Sequence, residues 1–225
     1  MAALGVGEGD VVTLAAPKGL EYYELLFAIW KLGATPNNVS SALPAAELKA
    51  IVELANPRLI VGEEHARIAG WDFLAVGTSP SEDFSADPLP SKTPARWKIM
   101  TSGGSTGRPK LIVDRKPGTH DPGQAPLGQR VGDTMLNPGP LYHNTPFVAV
   151  TYTLFSGGHV VELSRFDPLR ALELIDRHEV NWVSLVPTMM SRIWRLPEEQ
   201  RNSFDLSSLR TVFHMASACP QWLKQ

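Results

Sequence analysis

Ten consecutive residues carry the densest chemistry of the chain: Thr101-Ser102-Gly103-Gly104-Ser105-Thr106-Gly107-Arg108-Pro109-Lys110. Glycine lets a backbone turn sharply and approach a ligand closely. Successive N–H groups, helped by Ser and Thr hydroxyls, can surround phosphate oxygens. Arg108 and Lys110 add positive charge at the same place. These residues suit a polyphosphate, although a plain Gly/Ser surface loop has the same composition. Spacing disfavours two common alternatives. A Walker loop needs Gly, four residues, then Gly-Lys-Ser/Thr, but Gly107 is followed by Arg108-Pro109. Pro109 lacks an N–H and disfavours helix at Arg108. No helix N-terminus is therefore expected to cap the phosphates, which argues against a P-loop kinase. The Gly-x-Gly-x-x-Gly dinucleotide spacing fails too. The apolar flanks, Trp97-Lys98-Ile99-Met100 and Leu111-Ile112-Val113, predict strand, loop, strand: a hairpin flap over a phosphate tail.

The elements needed to position this flap follow from hydrophobic period and punctuation. Asp10–Ala15 and Arg58–Gly62 read as strands. Glu21–Leu32 reads as a helix, because Tyr22, Leu25, Leu26 and Ile29 share one face and Gly33 suits its C′ position. Pro44–Ala55 is a second amphipathic helix, stopped by Asn56-Pro57. The first sixty residues thus predict strand, helix, helix, strand, and a parallel sheet with crossovers. Gly77–Arg96 has no period and reads as a connector. Arg115–Pro140 is dense in Gly and Pro and shows no helical pattern. Phe147–Phe155 predicts a buried helix ending at Gly157-Gly158, and His159–Leu163 a strand. Asp167-Pro168 is a helix start, with Asp as N-cap and Pro at the first helical position. Trp182–Val186 predicts a strand, Pro187 a helix opening, and Leu209–Phe213 a last strand. The class is α/β.

Composition narrows the function. A net charge of −2 gives no overall field to draw nucleic acid. One cysteine, Cys219, excludes a disulfide framework and a cysteine-rich zinc site. No apolar run reaches the length of a membrane span, so no integral membrane segment is expected. Met1–Asp10 lacks a basic stretch followed by an apolar core, which makes a cytoplasmic location the default. Homo-oligomerisation is left open by the sequence.

The stretch Ser102–Lys110 resembles the phosphate-loop signature of the adenylate-forming, or AMP-binding, superfamily. That superfamily contains acyl- and aryl-CoA synthetases, firefly-type luciferases and the adenylation domains of peptide synthetases. Its usual pattern is Thr-Ser-Gly-Ser/Thr-Thr-Gly-x-Pro-Lys-Gly-Val; here Gly103 replaces a Ser and Leu111 a Gly. Four further segments, in the same order as in the family, are similar to its motifs. Gly33-Ala34-Thr35-Pro36-Asn37-Asn38 resembles an early turn, for which a helix cap alone also accounts. Pro140-Leu141-Tyr142-His143-Asn144 resembles Pro-Leu-Phe/Tyr-His, which implies that Tyr142 and His143 line the acyl pocket near the reacting carboxylate. A satisfied structural histidine is the other reading. Val186-Pro187-Thr188-Met189-Met190 is similar to a segment near the substrate cleft, with Met189, Met190 and Trp194 read first as packing residues. Leu209–Pro220 resembles Leu-Arg-x-x-x-x-Gly-Gly-Ala-Pro with the glycines replaced by Ala216 and Ser217. The resemblance makes Ala216, Ser217 and Ala218 a floor under adenine and acyl group. The ending from His214 to Lys224 resembles bile-acid and steroid-acid CoA ligases. Cys219 has no local base partner and reads as a small buried residue.

What the resemblance implies is a set of expectations. The fold is the layered, doubly wound, mostly parallel N-terminal domain of an acyl-CoA synthetase, in truncated form. Its divisions are a first α/β unit over 1–76, a connector over 77–96, and a phosphate-loop and acyl-pocket unit over 97–225, with the C-terminal domain absent. A small carboxylic acid (fatty, aryl or steroid) is joined to AMP by ATP and Mg²⁺, then passed to coenzyme A. Ser102, Ser105, Thr106 and Lys110 contribute side chains to ATP, and Gly103, Gly104 and Gly107 contribute backbone. Thr106 also sits near Mg²⁺ through the phosphates, and His143 serves the carboxylate. The family's Gly-x-Thr-Glu motif, ribose-binding Asp and adenylating Lys have no match in these 225 residues, which are therefore expected to be inactive alone. The alternative is a non-catalytic nucleotide- or acid-binding module, or a decayed remnant of such a ligase.

Overall fold

The computed structural model describes residues 1–85, 87–102, 109–124 and 126–223. They form two compact units, Met1–Thr119 and His120–Gln225.

In the first unit, strands β1 (Val11–Ala15), β2 (Thr35–Asn38), β3 (Leu59–Gly62), β4 (Asp72–Ala75), β5 (Lys98–Ser102) and β6 (Lys110–Asp114) make one sheet in the order β4-β3-β1-β2-β5-β6. All neighbours run parallel except β5 and β6, which are antiparallel. Two helices cover it, α1 (Leu20–Lys31) and α2 (Ala45–Ala55). Alternate strand residues face opposite sides. On one side the Tyr22 hydroxyl of α1 donates to Asn38 Oδ1 at 2.6 Å. On the other, Leu48, Ile51 and Val52 of α2 pack with Ala15, Val39 and Ile60. The sheet is thus wound on both faces. Each large apolar side chain so buried stabilises the fold by about 1.5–3 kcal/mol.

The second unit repeats the plan. Strands β7 (Thr134–Asn137), β8 (His159–Glu162), β9 (Trp182–Leu185) and β10 (Thr211–His214) form a wholly parallel sheet in the order β10-β9-β7-β8. Its helices are α3 (Asn144–Phe155), α4 (Pro168–Arg177), α5 (Pro187–Trp194) and α6 (Glu198–Arg201). Leu136, Val161, Val183 and Leu185 meet Ala171, Leu174 and Ile175 of α4, with Met189, Met190 and Ile193 of α5 beside them. Across the sheet, Gln129 Nε2 donates to the Ala149 carbonyl and Thr153 hydroxyl of α3. The Asp167 cap forms as expected, its carboxylate accepting from the Arg170 N–H at 2.8 Å.

Four expectations need correction. The first sixty residues contain an extra strand, β2, in Thr35-Pro36-Asn37-Asn38. Pro and Asn are poor strand formers, but tertiary partners override them: Asn37 Nδ2 donates to Thr13 Oγ1 at 3.2 Å, and Thr35 Oγ1 to the Arg96 carbonyl at 2.9 Å. Pro36 faces only β1 in register, since β5 pairs with Asn37 and Asn38 alone. Second, β7 emerges from the Gly/Pro-dense 115–140 segment and sits between β9 and β8. Third, the grouping 97–225 does not follow the strand pairing, because β5 and β6 complete the first sheet. Fourth, Trp194 is not core. It is 54% exposed, with the Arg201 guanidinium 4.2 Å above its ring.

Candidate active site

The flanks of the Gly-rich loop form the predicted hairpin. Ser102 pairs with Lys110, Thr101 with Leu111, and so on down to Lys98 with Asp114. The Ser102 hydroxyl donates to the Lys110 carbonyl at 3.4 Å, and the Lys110 side chain is exposed. Gly103, Gly104, Ser105, Thr106, Gly107 and Arg108 lie outside the described residues, so their expected contacts with ATP remain expectations. Ser102 is the C-terminal end of a strand in an otherwise parallel sheet. Ligands of open α/β sheets bind at that edge.

The far end of the hairpin is locked by a cross-strand ion pair. Lys98 is 5% exposed, and its Nζ lies 3.2 Å from Asp114 Oδ2. Partial burial works to raise the Asp114 carboxyl, but donors from Trp97, the Lys116 N–H and Lys98 outweigh it and hold the group below its usual value. A carboxylate depressed in the fold contributes stability above its unfolded pKa and loses it as pH falls through the folded one. Asp114→Ala strands a buried ammonium and is expected to cost about 3 kcal/mol, while Lys98→Met with Asp114→Leu restores most of it. Urea unfolding of the parent and these two variants checks this; equal losses in the single and double variants would refute it.

In the second unit, the predicted pocket residues all follow C-terminal strand ends. Tyr142 and His143 come after β7, Thr188 after β9, and Ala216, Ser217 and Ala218 after β10. Asn137, the last residue of β7, fixes the first of these loops. Its Nδ2 donates to Glu162 Oε1 at 2.9 Å, and its Oδ1 accepts from the Gly139 N–H at 3.2 Å. His143 is the N-cap residue of α3, with its ring 4.6 Å from that of Tyr142. His143 is exposed, while desolvation by the surroundings of its ring lowers its pKa. Thr145 on the same helix donates to Met215 Sδ at 2.9 Å, which brings the post-β7 and post-β10 loops together. Ala216, Ser217 and Ala218 are exposed at this edge. Cys219, expected to be buried, is half-exposed.

Ala216 has φ +76°, a left-handed conformation that costs an L-residue about 1–2 kcal/mol. Glycine adopts this conformation without steric cost, and glycine stands at this place in the resembled motif. Ala216→Gly is expected to raise stability by about 0.5–1 kcal/mol, part of the relief being offset in the unfolded chain. A urea midpoint that stays put or falls would remove this explanation.

Arg210 has a different role from its motif neighbours. It lies before β10, at the opposite edge, where its Nη2 donates to the buried Asp133 carboxylate at 2.6 Å. It clamps the sheet rather than a ligand. Residues that sequence reasoning missed include Asn137 and Glu162. The signal for Asn137 was the turn Asn137-Pro138-Gly139-Pro140 directly after apolar Met135-Leu136.

Two doubly wound units, one with the Ser102–Lys110 hairpin at its C-terminal sheet edge and one with the His143-bearing loop at its own, define the α/β fold class. The family model described as AMP-binding enzyme matches residues 1–225, and the chain belongs to that family. It is 30% identical over 223 residues to a sulfoacetate–CoA ligase of Cupriavidus necator, covering 88% of this chain and 43% of that protein. It is 29% identical to a 2,3-dihydroxybenzoate-AMP ligase of Bacillus subtilis, covering 93% and 43%. The chain thus spans less than half the length of these relatives. Its fold is similar to the N-terminal domain of FACL13 from Mycobacterium tuberculosis, with TM-score 0.78 and 21% identity over 99% of this chain and 60% of that one. O-succinylbenzoate coenzyme A synthetase of Bacillus subtilis, solved with AMP, matches with TM-score 0.77 and 21% identity, covering 99% and 58%.

Proposed function

We propose that this chain is the ATP-cradling part of a carboxylic acid–coenzyme A ligase. One observation carries the reading: an antiparallel hairpin pairs Ser102 with Lys110 at the C-terminal edge of a parallel sheet, and its tip has the family's phosphate-loop sequence.

In the first step a carboxylate oxygen bonds to the α-phosphorus of ATP, and the bond to the β-bridging oxygen breaks. Pyrophosphate leaves with that electron pair. Ser102, Ser105, Thr106 and Lys110, with the backbone of Gly103, Gly104 and Gly107, stabilise the charge that builds on it and aim the α-phosphorus. In the second step the coenzyme A sulfur bonds to the acyl carbon and AMP leaves. The His143 ring can donate a hydrogen bond to a carboxylate. Tyr142, Ala216, Ser217 and Ala218 would line the acid and adenine sites. Among the described residues, no group of three His, Cys, Asp or Glu side chains could hold a metal. Mg²⁺ brought with the nucleotide would neutralise phosphate charge, with Thr106 the residue the family motif sets nearest to it.

The substrate is a small carboxylic acid. The relatives' names span sulfoacetate, dihydroxybenzoate and long-chain fatty acids, and the ending His214–Lys224 keeps steroid acids among the candidates. No described helix is long and apolar enough to cross a membrane. The competing reading is a module that binds nucleotide or acid without catalysis.

ATP–pyrophosphate exchange separates them. The 225 residues are expected to bind ATP but not to exchange. Fused to the C-terminal half of a relative, they are expected to exchange only when an acid substrate is added. Absence of ATP binding overturns the ligase reading, and ATP binding with no exchange by the fusion favours the module.

A further inference from the structure

Helix α5 is two-sided. Met189, Met190 and Ile193 pack on the core, while Thr188, Ser191, Arg192 and Arg195 recur at helical spacing on the other side. With Ser217 and Ala218 this side lines a groove of about 410 Å³, larger than a single oxyanion needs. No acidic side chain lines it. Among the described residues neither Arg192 nor Arg195 forms an ion pair. The Arg192 guanidinium lies 4.9 Å over the Phe166 ring instead. Like charges three residues apart on one helix disfavour each other. The C-terminal end of the helix dipole favours both, and an anion held between them would offset their mutual repulsion. Guanidinium forks grip multi-oxygen anions bidentately, and the hydroxyls of Thr188, Ser191 and Ser217 add donors.

We propose that this groove is a second anion site, which takes a phosphate- or sulfonate-type oxyanion. It uses only residues of the second unit and does not depend on the phosphate loop. Two ligands could bring that chemistry to the C-terminal edge: the 3′-phosphate of coenzyme A, or a distal acidic group on the carboxylic acid. Naming these two sources rests on the ligase reading; the site itself does not.

The test is calorimetric titration of the 225-residue chain with inorganic phosphate in a Lys110→Ala background, which weakens the loop. Arg192→Gln and Arg195→Gln are each expected to weaken phosphate binding about tenfold, and both together to abolish it. Lys49→Gln, an exposed position on α2 of the first unit, is expected to change nothing. Arg195 is exposed, so its variant is read free of folding defects, and unchanged melting is checked alongside. Phosphate binding that is absent, or equal in the parent and the double Arg variant, overturns the proposal. Two further titrations identify the source. A preference for coenzyme A over dephospho-coenzyme A that disappears in the double Arg variant assigns the site to the cofactor. A preference for sulfoacetate over acetate that disappears assigns it to the acid. Loss of ATP binding with phosphate binding intact would overturn the ligase reading alone.

Discussion

Lys110→Ala is expected to weaken ATP binding about ten- to a hundredfold while leaving the fold intact. The backbone of Lys110 is held by its register with Ser102 and by the Ser102 hydroxyl on its carbonyl, and alanine keeps both. The side chain is exposed, so the substitution removes a charge and little packing. A hydrogen bond from a charged donor contributes about 1.5–3 kcal/mol, which converts to the stated range. The same contact should strengthen as pyrophosphate departs, so exchange in the fusion described above should lose kcat as well as affinity. Lys116→Ala supplies the control, because Lys116 lies on the same chain just beyond β6. Calorimetry with ATP at two salt concentrations is the measurement. The parent should lose affinity with salt more steeply than Lys110→Ala. Equal affinity in parent and variant would overturn the phosphate-loop assignment.

The hairpin was legible because its signals are local: apolar flanks, glycines between them, and a proline that forbids a helix. The caps at Asp167 and Gly33 were legible for the same reason, and Gly33 indeed takes φ +77°. What sequence missed depends on distant partners. Thr35–Asn38 is held as a strand by distant partners: Tyr22, Thr13 and Arg96 take the Asn38 Oδ1, Asn37 Nδ2 and Thr35 Oγ1 atoms. Thr134–Asn137 is too short for a period to stand out from the prolines around it, yet it lies between two strands of the second sheet. Arg210 shows the converse. It stands within the motif that holds Ala216, Ser217 and Ala218, but a four-residue strand carries it to the other edge, where it meets Asp133. The Thr188-Ser191-Arg192-Arg195 face was readable at helical spacing. The Met and Ile residues interleaved with it drew attention to packing first.

The adjacent glycines at the end of α3 separate two physical demands, and Gly158→Ala should be the most damaging single substitution in the second unit. A Cβ at Gly158 would sit 2.4 Å from the Asp133 carbonyl oxygen, 2.7 Å from Thr153 Cγ2 and 2.9 Å from the Thr153 carbonyl oxygen. Two of these atoms are backbone and cannot swing aside. The Asp133 carbonyl also accepts the His159 N–H at 2.9 Å, so relief of the clash pulls β8 away from the entry to β7. Overpacking costs typically 1–3 kcal/mol and occasionally more; with backbone on two sides, about 3 kcal/mol or more is expected. Gly157 has φ +71° and open space around it. Alanine there pays only the left-handed conformation, about 1–2 kcal/mol. Hydrogen exchange resolves the difference. In Gly158→Ala, β7 and β8 should lose protection while β1, β2 and β3 of the first unit keep theirs; in Gly157→Ala all should stay protected. Equal urea midpoints for the two variants would refute the close approach. The consequence reaches function, because β7 ends at Asn137 and β8 at Glu162, and that pair fixes the loop carrying Tyr142 and His143. A methyl group at the N-terminal end of β8 should therefore disturb the loop proposed to line the acid site, at the other end of the strand.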